Sequence, residues 1–181
     1  KSVESLGDAY YNAISASVPI DMALDAVELA HKVATAGFTT DDAAMNLLAT
    51  TMNAFGYKNF EDMQRIADIV LLTQNKGIIL ADDMAKLFGR ISPISSSLGV
   101  DLADQAAVLA TLTKKGILPS EAVTGASRLM TRFLQKTGDD AQAMLKKIGL
   151  GEDFFSAKTI KKHGLIGVLE MLQDAIQGDM D

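Results

Sequence analysis

The chain has 181 residues, which is enough for a helical domain with its own hydrophobic core. Hydrophobic residues make up 48% of it but aromatic residues only 6%, a mixture that favours helix over sheet. The absence of cysteine excludes disulfides, thiolate metal sites and a cysteine nucleophile, and the net charge of −6 disfavours direct binding to nucleic acid.

Helices are predicted wherever apolar residues recur three and four positions apart. The chain opens at Lys1 rather than Met, inside the first of these helices and without a signal-peptide pattern. We therefore expect it to be a fragment of a longer protein. In chain order, the predicted helices cover residues 2–16, 20–36, 39–55, 59–76, 80–97, 101–115, 119–136, 139–148 and 164–177.

Capping signals mark several of the helix starts. A side-chain oxygen that can cap the helix stands three residues before a carboxylate, the spacing of a capping box. Pro119 suits the first turn of the helix that follows it. The three capping pairs are Thr39 with Asp42, Asn59 with Asp62, and Asp101 with Asp104.

The middle helices each carry one apolar face, which we expect to be buried against a neighbouring helix. Ser92-Pro93 is expected to kink or break the helix at 80–97, because proline lacks a backbone donor. Charged residues interrupt the apolar stretch 66–80, which is also shorter than the roughly 20 residues of a membrane span. The predicted faces are Phe60, Met63, Ala67, Val70 and Leu71; Leu102, Ala106, Leu109 and Leu112; and Val123, Ala126, Met130, Phe133 and Leu134.

An internal repeat organises the chain. Gly37, Gly77 and Gly116 lie 40 and 39 residues apart, and each separates two predicted helices. A second set, Gly56, Gly99 and Gly138, follows the first by 19, 22 and 22 residues. Glycine past a helix end, often after lysine, is typical of a left-handed C-cap, as in Asn75-Lys76-Gly77, Lys114-Lys115-Gly116 and Lys161-Lys162-His163-Gly164. The sequence thus predicts a single all-α domain, residues 1–181, built of stacked helical hairpins.

No residue set points to catalysis, a cofactor or a metal ion. Paired carboxylates could serve as an acid and a base, but all three pairs fall at predicted helix starts, where anions are stabilised. His31 lies three residues after Glu28 without further donors, and His163 is expected to be solvated. The lysine pairs before glycine turns are explained by the helix dipole rather than by a phosphate site. The carboxylate pairs are Asp41/Asp42, Asp82/Asp83 and Asp139/Asp140.

The stretch from 52 to 150, with an extension upstream to residue 19, resembles the core region of bacteriophage tail tape-measure proteins, the phage-related minor tail protein family. The resemblance rests on the order and spacing of several short motifs. These are Asn53-Ala54-Phe55-Gly56, Ile66-Ala67-Asp68, Ser97-Leu98-Gly99-Val100, the segment 107–117, Gly125-Ala126-Ser127-Arg128-Leu129-Met130, and Leu145-Lys146-Lys147-Ile148-Gly149-Leu150.

The resemblance implies a structural virion component and not an enzyme. Such proteins set tail length, assist tail assembly in the bacterial cytoplasm and leave ahead of the genome during ejection. Expected partners are further copies of the chain and tail-tube or tail-assembly proteins, with no nucleic acid and no membrane span in this piece. Two alternatives remain: a helical-repeat adaptor that binds another protein, and a peptidoglycan-degrading virion domain, which would need an acidic residue of perturbed pKa in a cleft.

Overall fold

The computed structural model describes residues 3–135 and 137–178, and over these ranges it contains nine α-helices and no strand. This confirms the predicted all-α fold. The predicted helix ends at Ser2 and Lys136 lie outside the described residues. The helices are α1 Val3–Ser15, α2 Ala23–Ala36 (preceded by a 3-10 turn, Ile20–Met22), α3 Asp41–Phe55, α4 Phe60–Lys76, α5 Ala81–Leu98, α6 Leu102–Lys114, α7 Pro119–Leu134, α8 Asp139–Lys147 and α9 Ala157–Gly178.

The helical hairpins stack in two rows. Helices α2, α4 and α6 form one row, and α3, α5 and α7 form the other, with the most extensive contacts between α3 and α5 and between α5 and α7. Each hairpin, α2–α3, α4–α5 and α6–α7, is one copy of the repeat indicated by the glycine spacing. Because every hairpin buries its apolar face against the next, the central helix α5 has packing partners on both sides.

The buried side chains come from both rows, and most of them form one cluster. The predicted apolar faces of α4, α6 and α7 contribute most of their residues to it. Leu71, which is partly buried, and the buried Ala106 lie outside the cluster, and Leu134 is 50% exposed. Leu134 is the last residue of α7, and the preceding Phe133 takes the inward position there. The largest fully buried side chains are Leu47, Leu48, Met63, Ile66, Ile79, Met84, Phe88, Ile91, Leu98, Leu102, Leu109 and Met130.

The glycines of the repeat serve two different purposes. Gly56, Gly99 and Gly116 have φ values of 71°, 74° and 90°, the left-handed conformation expected past a helix end. The same expectation for Gly77 is wrong, because its backbone is extended, with φ −108° and ψ −173°. Gly37 likewise has a negative φ of −93°. These two glycines are required for another reason.

Gly37 and Gly77 allow one hairpin to approach the next closely. A Cβ atom at Gly77 would lie 2.7 Å from the Cα of Ala110 and 2.8 Å from the Oγ1 of Thr113. One added at Gly37 would lie 2.6 Å from the Cβ of Ala81. Both contacts are shorter than van der Waals packing allows, so the absence of a side chain sets the distance between successive hairpins.

We expect Gly77→Ala to lower the free energy of unfolding by about 1–3 kcal/mol, because its Cβ would overpack the contact with α6. Urea denaturation followed by circular dichroism measures this loss. Gly138→Ala is the matched control, since Gly138 has φ −71° and nothing within 4 Å of an added Cβ. The control should stay within about 0.5 kcal/mol of the unchanged protein. Equal losses at the two positions would contradict the close-approach explanation.

Helix α5 is continuous from Ala81 to Leu98, so it does not break at Ser92-Pro93, and the expected kink stays a prediction. Pro93 is exposed, as is Gly89, whose carbonyl would otherwise accept the missing hydrogen bond. That carbonyl can be hydrated, which reduces the cost of the proline. Meanwhile Ile91 and Ser95 are buried on the opposite side of the helix and hold it in place.

The predicted caps are largely confirmed, with one shift of register. The N-cap of α3 is Thr40 and not Thr39: the Thr40 hydroxyl accepts from the backbone N–H of Ala43 at 3.1 Å. Asn59 caps α4 by accepting from Asp62 N–H at 2.8 Å. Asp101 caps α6, and Pro119 begins α7. Thr39 instead links the first hairpin to the second, because its hydroxyl donates a hydrogen bond to Asp82.

Helices outside the repeat cover both ends of the described stack. α1 packs on α2 and α3, and α9 packs mainly on α6. Before α9, Phe155 lies 5.1 Å from Phe133 and 5.4 Å from Phe154, measured between ring centroids. None of the described helices is long and apolar enough for a membrane crossing.

The last helix differs most from the sequence prediction. α9 begins at Ala157 rather than at residue 164, and Gly164, with φ 70° and ψ 164°, interrupts it. The predicted helix end at Lys161-Lys162-His163-Gly164 is therefore confirmed. The helical segment that precedes it was missed because Ile160 is its one buried residue, which is too few for a periodic pattern.

Candidate interaction surfaces

The paired carboxylates occupy the first turns of α3, α5 and α8, as predicted. Asp82 accepts a hydrogen bond from Lys86 and another, at 3.2 Å, from the Thr39 hydroxyl. The Lys86 hydrogen bond lowers the pKa of Asp82 below its ordinary value. Asp83 accepts from the backbone N–H of Leu80 at 3.2 Å. A general acid needs a raised pKa, so this arrangement fits helix capping better than proton transfer.

The two histidines lie apart from any metal-binding cluster. The Nδ1 of His31 is 3.0 Å from a carboxylate oxygen of Asp41, whereas Glu28 pairs with Lys32 at 2.7 Å. The sequence did not reveal Asp41 as the partner because it belongs to the next helix. His163 is exposed. Within residues 3–135 and 137–178, no three histidine or carboxylate side chains are grouped to hold a metal ion.

Exposed apolar side chains recur at the turn inside each hairpin. We call this set the turn edge. Each of these turns follows a glycine of the first set, so the exposed residues occupy equivalent positions in the repeat. The turn edge consists of Phe38, Ile78, Leu80, Ile117 and Leu118, which are 81%, 69%, 49%, 38% and 61% exposed.

Hydrogen bonds between hairpins align these turns side by side. In the first hairpin, the backbone carbonyl of Ala36 accepts from the Gln74 amide of the second at 3.4 Å. In the second, the backbone N–H of Ile78 donates to the hydroxyl of Thr113 in the third at 3.1 Å. The three turns therefore lie along one edge of the stack, and each presents exposed apolar side chains there.

Phe38 is in an unusual backbone conformation at this edge. Its φ of 53° places a bulky residue in the left-handed region, which costs on the order of 1–3 kcal/mol. Its side chain is 81% exposed, so burial does not offset that cost. An exposed aromatic side chain in a strained turn does little to stabilise the fold. Such residues are typical of surfaces that bind a partner.

Acidic residues border the turn edge. Asp41 and Asp42 follow the first turn, Asp82 and Asp83 follow the second, and Glu121 follows the third. All of them lie in the first turns of α3, α5 and α7. Exposed lysines, Lys76, Lys114 and Lys115, precede the second and third turns, so charges of both signs border the apolar row.

Comparison with known proteins gives two matches. A sequence model of the family described as phage-related minor tail protein matches residues 1–181. The chain is also similar to the probable tape measure protein of Clostridium phage phiCD119, with 30% identity over 101 residues. That match covers 54% of this chain but only 11% of the phage protein. No solved structure gives a significant match.

Proposed function

Because this chain belongs to the phage-related minor tail protein family, whose members are structural parts of the phage tail, we propose that it is a folded segment of a tape-measure protein. In this proposal the whole protein sets tail length, assists tail assembly in the bacterial cytoplasm and leaves ahead of the genome during ejection. The likeness to a probable tape measure protein supports this assignment.

The segment works by contact and not by chemistry. The turn edge is the observation that carries this proposal, because the hairpin stack keeps five apolar side chains exposed along one row. Rows of exposed apolar side chains mark protein contact surfaces. Among the helix-start carboxylates, which are the alternative candidates for chemistry, Asp83 is engaged in capping and Asp82 in an ion pair with Lys86.

The partner at the turn edge is another tail protein, from the tail tube or its assembly machinery. Apolar pockets on that protein would receive the exposed side chains of the turn edge.

An in-frame deletion of the coding region for residues 1–181 tests whether the segment contributes contact or length. As one continuous helix, 181 residues would span about 270 Å, at roughly 1.5 Å per residue. A compact fold of this size is only about 40 Å across. We therefore expect the deletion to leave few or no complete tails, because an assembly contact is lost.

Electron microscopy of the particles gives the yield and length of the tails. A deletion of equal size elsewhere in the same gene serves as the control and calibrates the length that each residue contributes. Normal numbers of tails shortened by about 270 Å would show that the segment is a stretched ruler, and would overturn the proposed contact role.

A further inference from the structure

A second surface, on α5 and α7, gathers arginine side chains. The chain has four arginines, and three of them, Arg90, Arg128 and Arg132, line one open cavity of about 540 Å³. The fourth, Arg65, lies elsewhere and pairs with Asp101 at 3.1 Å. The cavity is therefore a local region of positive charge in a chain whose net charge is −6.

The three guanidinium groups lack an anionic partner in the described part of the chain. None of them forms an ion pair there, and none of the residues that line the cavity carries a carboxylate. Arg128 and Arg132 are one turn apart on α7, so they lie on the same helix face. Arg90 belongs to α5 and contacts α7, because its Nη2 lies 3.4 Å from the hydroxyl oxygen of Thr124.

The preference of the cavity for anions rests on its arginines rather than on the hydroxyl groups around them. Thr124 and Thr131 each donate their hydroxyl hydrogen to a backbone carbonyl at 2.8 Å. The hydroxyl of Ser127 is buried and has no hydrogen-bond partner within residues 3–135 and 137–178. Because that oxygen is buried, it adds no donor to the open cavity. Gln135 supplies an amide at the rim of the same cavity.

We propose that the cavity lined by Arg90, Arg128 and Arg132 binds the carboxylates of an acidic peptide segment from a partner protein. The planar guanidinium group offers paired N–H donors that match the two oxygens of a carboxylate. An anion between the arginines also neutralises their mutual repulsion. This site is separate from the turn edge, and the proposal holds whatever the role of the turn edge.

Carboxylates fit this site better than a nucleic acid backbone does. A phosphodiester strand carries charge along its whole length and would extend past the cavity onto a surface that is acidic overall. A short acidic peptide places its charge within the cavity and meets less repulsion outside it. The lining also lacks an aromatic side chain on which a base could stack.

Titration calorimetry of the chain with a hexaglutamate peptide at low salt tests the proposal, with a six-nucleotide thymidine DNA strand as the second probe. We expect the peptide to bind more tightly than the DNA. Arg128→Gln/Arg132→Gln should weaken peptide binding by at least about tenfold, because two charge-assisted contacts are lost. Arg128→Lys/Arg132→Lys, which retains the charge, should weaken it by an intermediate factor.

Lys161→Gln/Lys162→Gln is the matched control, because it removes the same charge from two exposed residues of α9. This variant should keep its affinity within about twofold if the arginine cavity is the site. Circular dichroism verifies that each variant is folded. Absence of peptide binding, equal weakening by both double glutamine variants, or tighter binding of the DNA would each overturn the proposal.

Discussion

Replacing Phe88 with alanine is expected to lower the free energy of unfolding by about 3–5 kcal/mol. Phe88 is fully buried in α5, the helix that packs against both α3 and α7. Its removal takes apolar surface from the core and leaves a cavity in the centre of the hairpin stack. Since small proteins are stable by only about 5–15 kcal/mol, urea denaturation should show a large shift of the midpoint.

Phe38→Ala is the matched control for this prediction. Phe38 is 81% exposed and its φ is 53°, so alanine removes little buried surface there. The variant should unfold within about 0.5 kcal/mol of the unchanged protein. If the two substitutions destabilised the chain equally, the assignment of α5 to the centre of the core would be wrong.

Most of the fold could be predicted from local signals. Asn59 and Asp101 stand where a capping oxygen is needed, Pro119 fits a first turn, and the apolar periodicity between these points identifies the helices. The glycine spacing also predicted that the helices would stack as hairpins. These features depend on residues close together in the chain, which explains why the sequence was sufficient.

The contacts between hairpins could not be predicted in the same way. Thr39 and Asp82 are 43 residues apart, and Arg90 and Thr124 are 34 apart. Such pairs form only when one hairpin lies against the next in a particular register. Periodicity predicts that the hairpins stack but not which side chains meet. For the same reason, the sequence revealed neither the turn edge nor the arginine cavity.

The second large effect is expected at the turn edge. A triple variant, Phe38→Ser/Ile78→Ser/Leu118→Ser, removes an exposed apolar side chain from each of the three turns. Because these residues are 81%, 69% and 61% exposed, the fold and its stability should change little. The contact with another tail protein should be lost, since buried apolar anchors supply most of the energy of a protein interface.

The control for this variant removes the same kind of side chain from other surfaces. Leu24, Leu72 and Met144 are 61%, 55% and 66% exposed and lie on α2, α4 and α8. Replacing all three with serine removes a comparable set of exposed apolar side chains without changing the turn edge. A contact role specific to the turn edge predicts that only the first triple variant affects tails.

Electron microscopy of particles made by a phage or prophage that carries each triple variant is the most direct test of the account. We expect the turn-edge variant to accumulate normal amounts of folded protein but few complete tails, and the control variant to assemble tails normally. Complete tails in normal numbers from the turn-edge variant would contradict the conclusion that this segment acts through that surface.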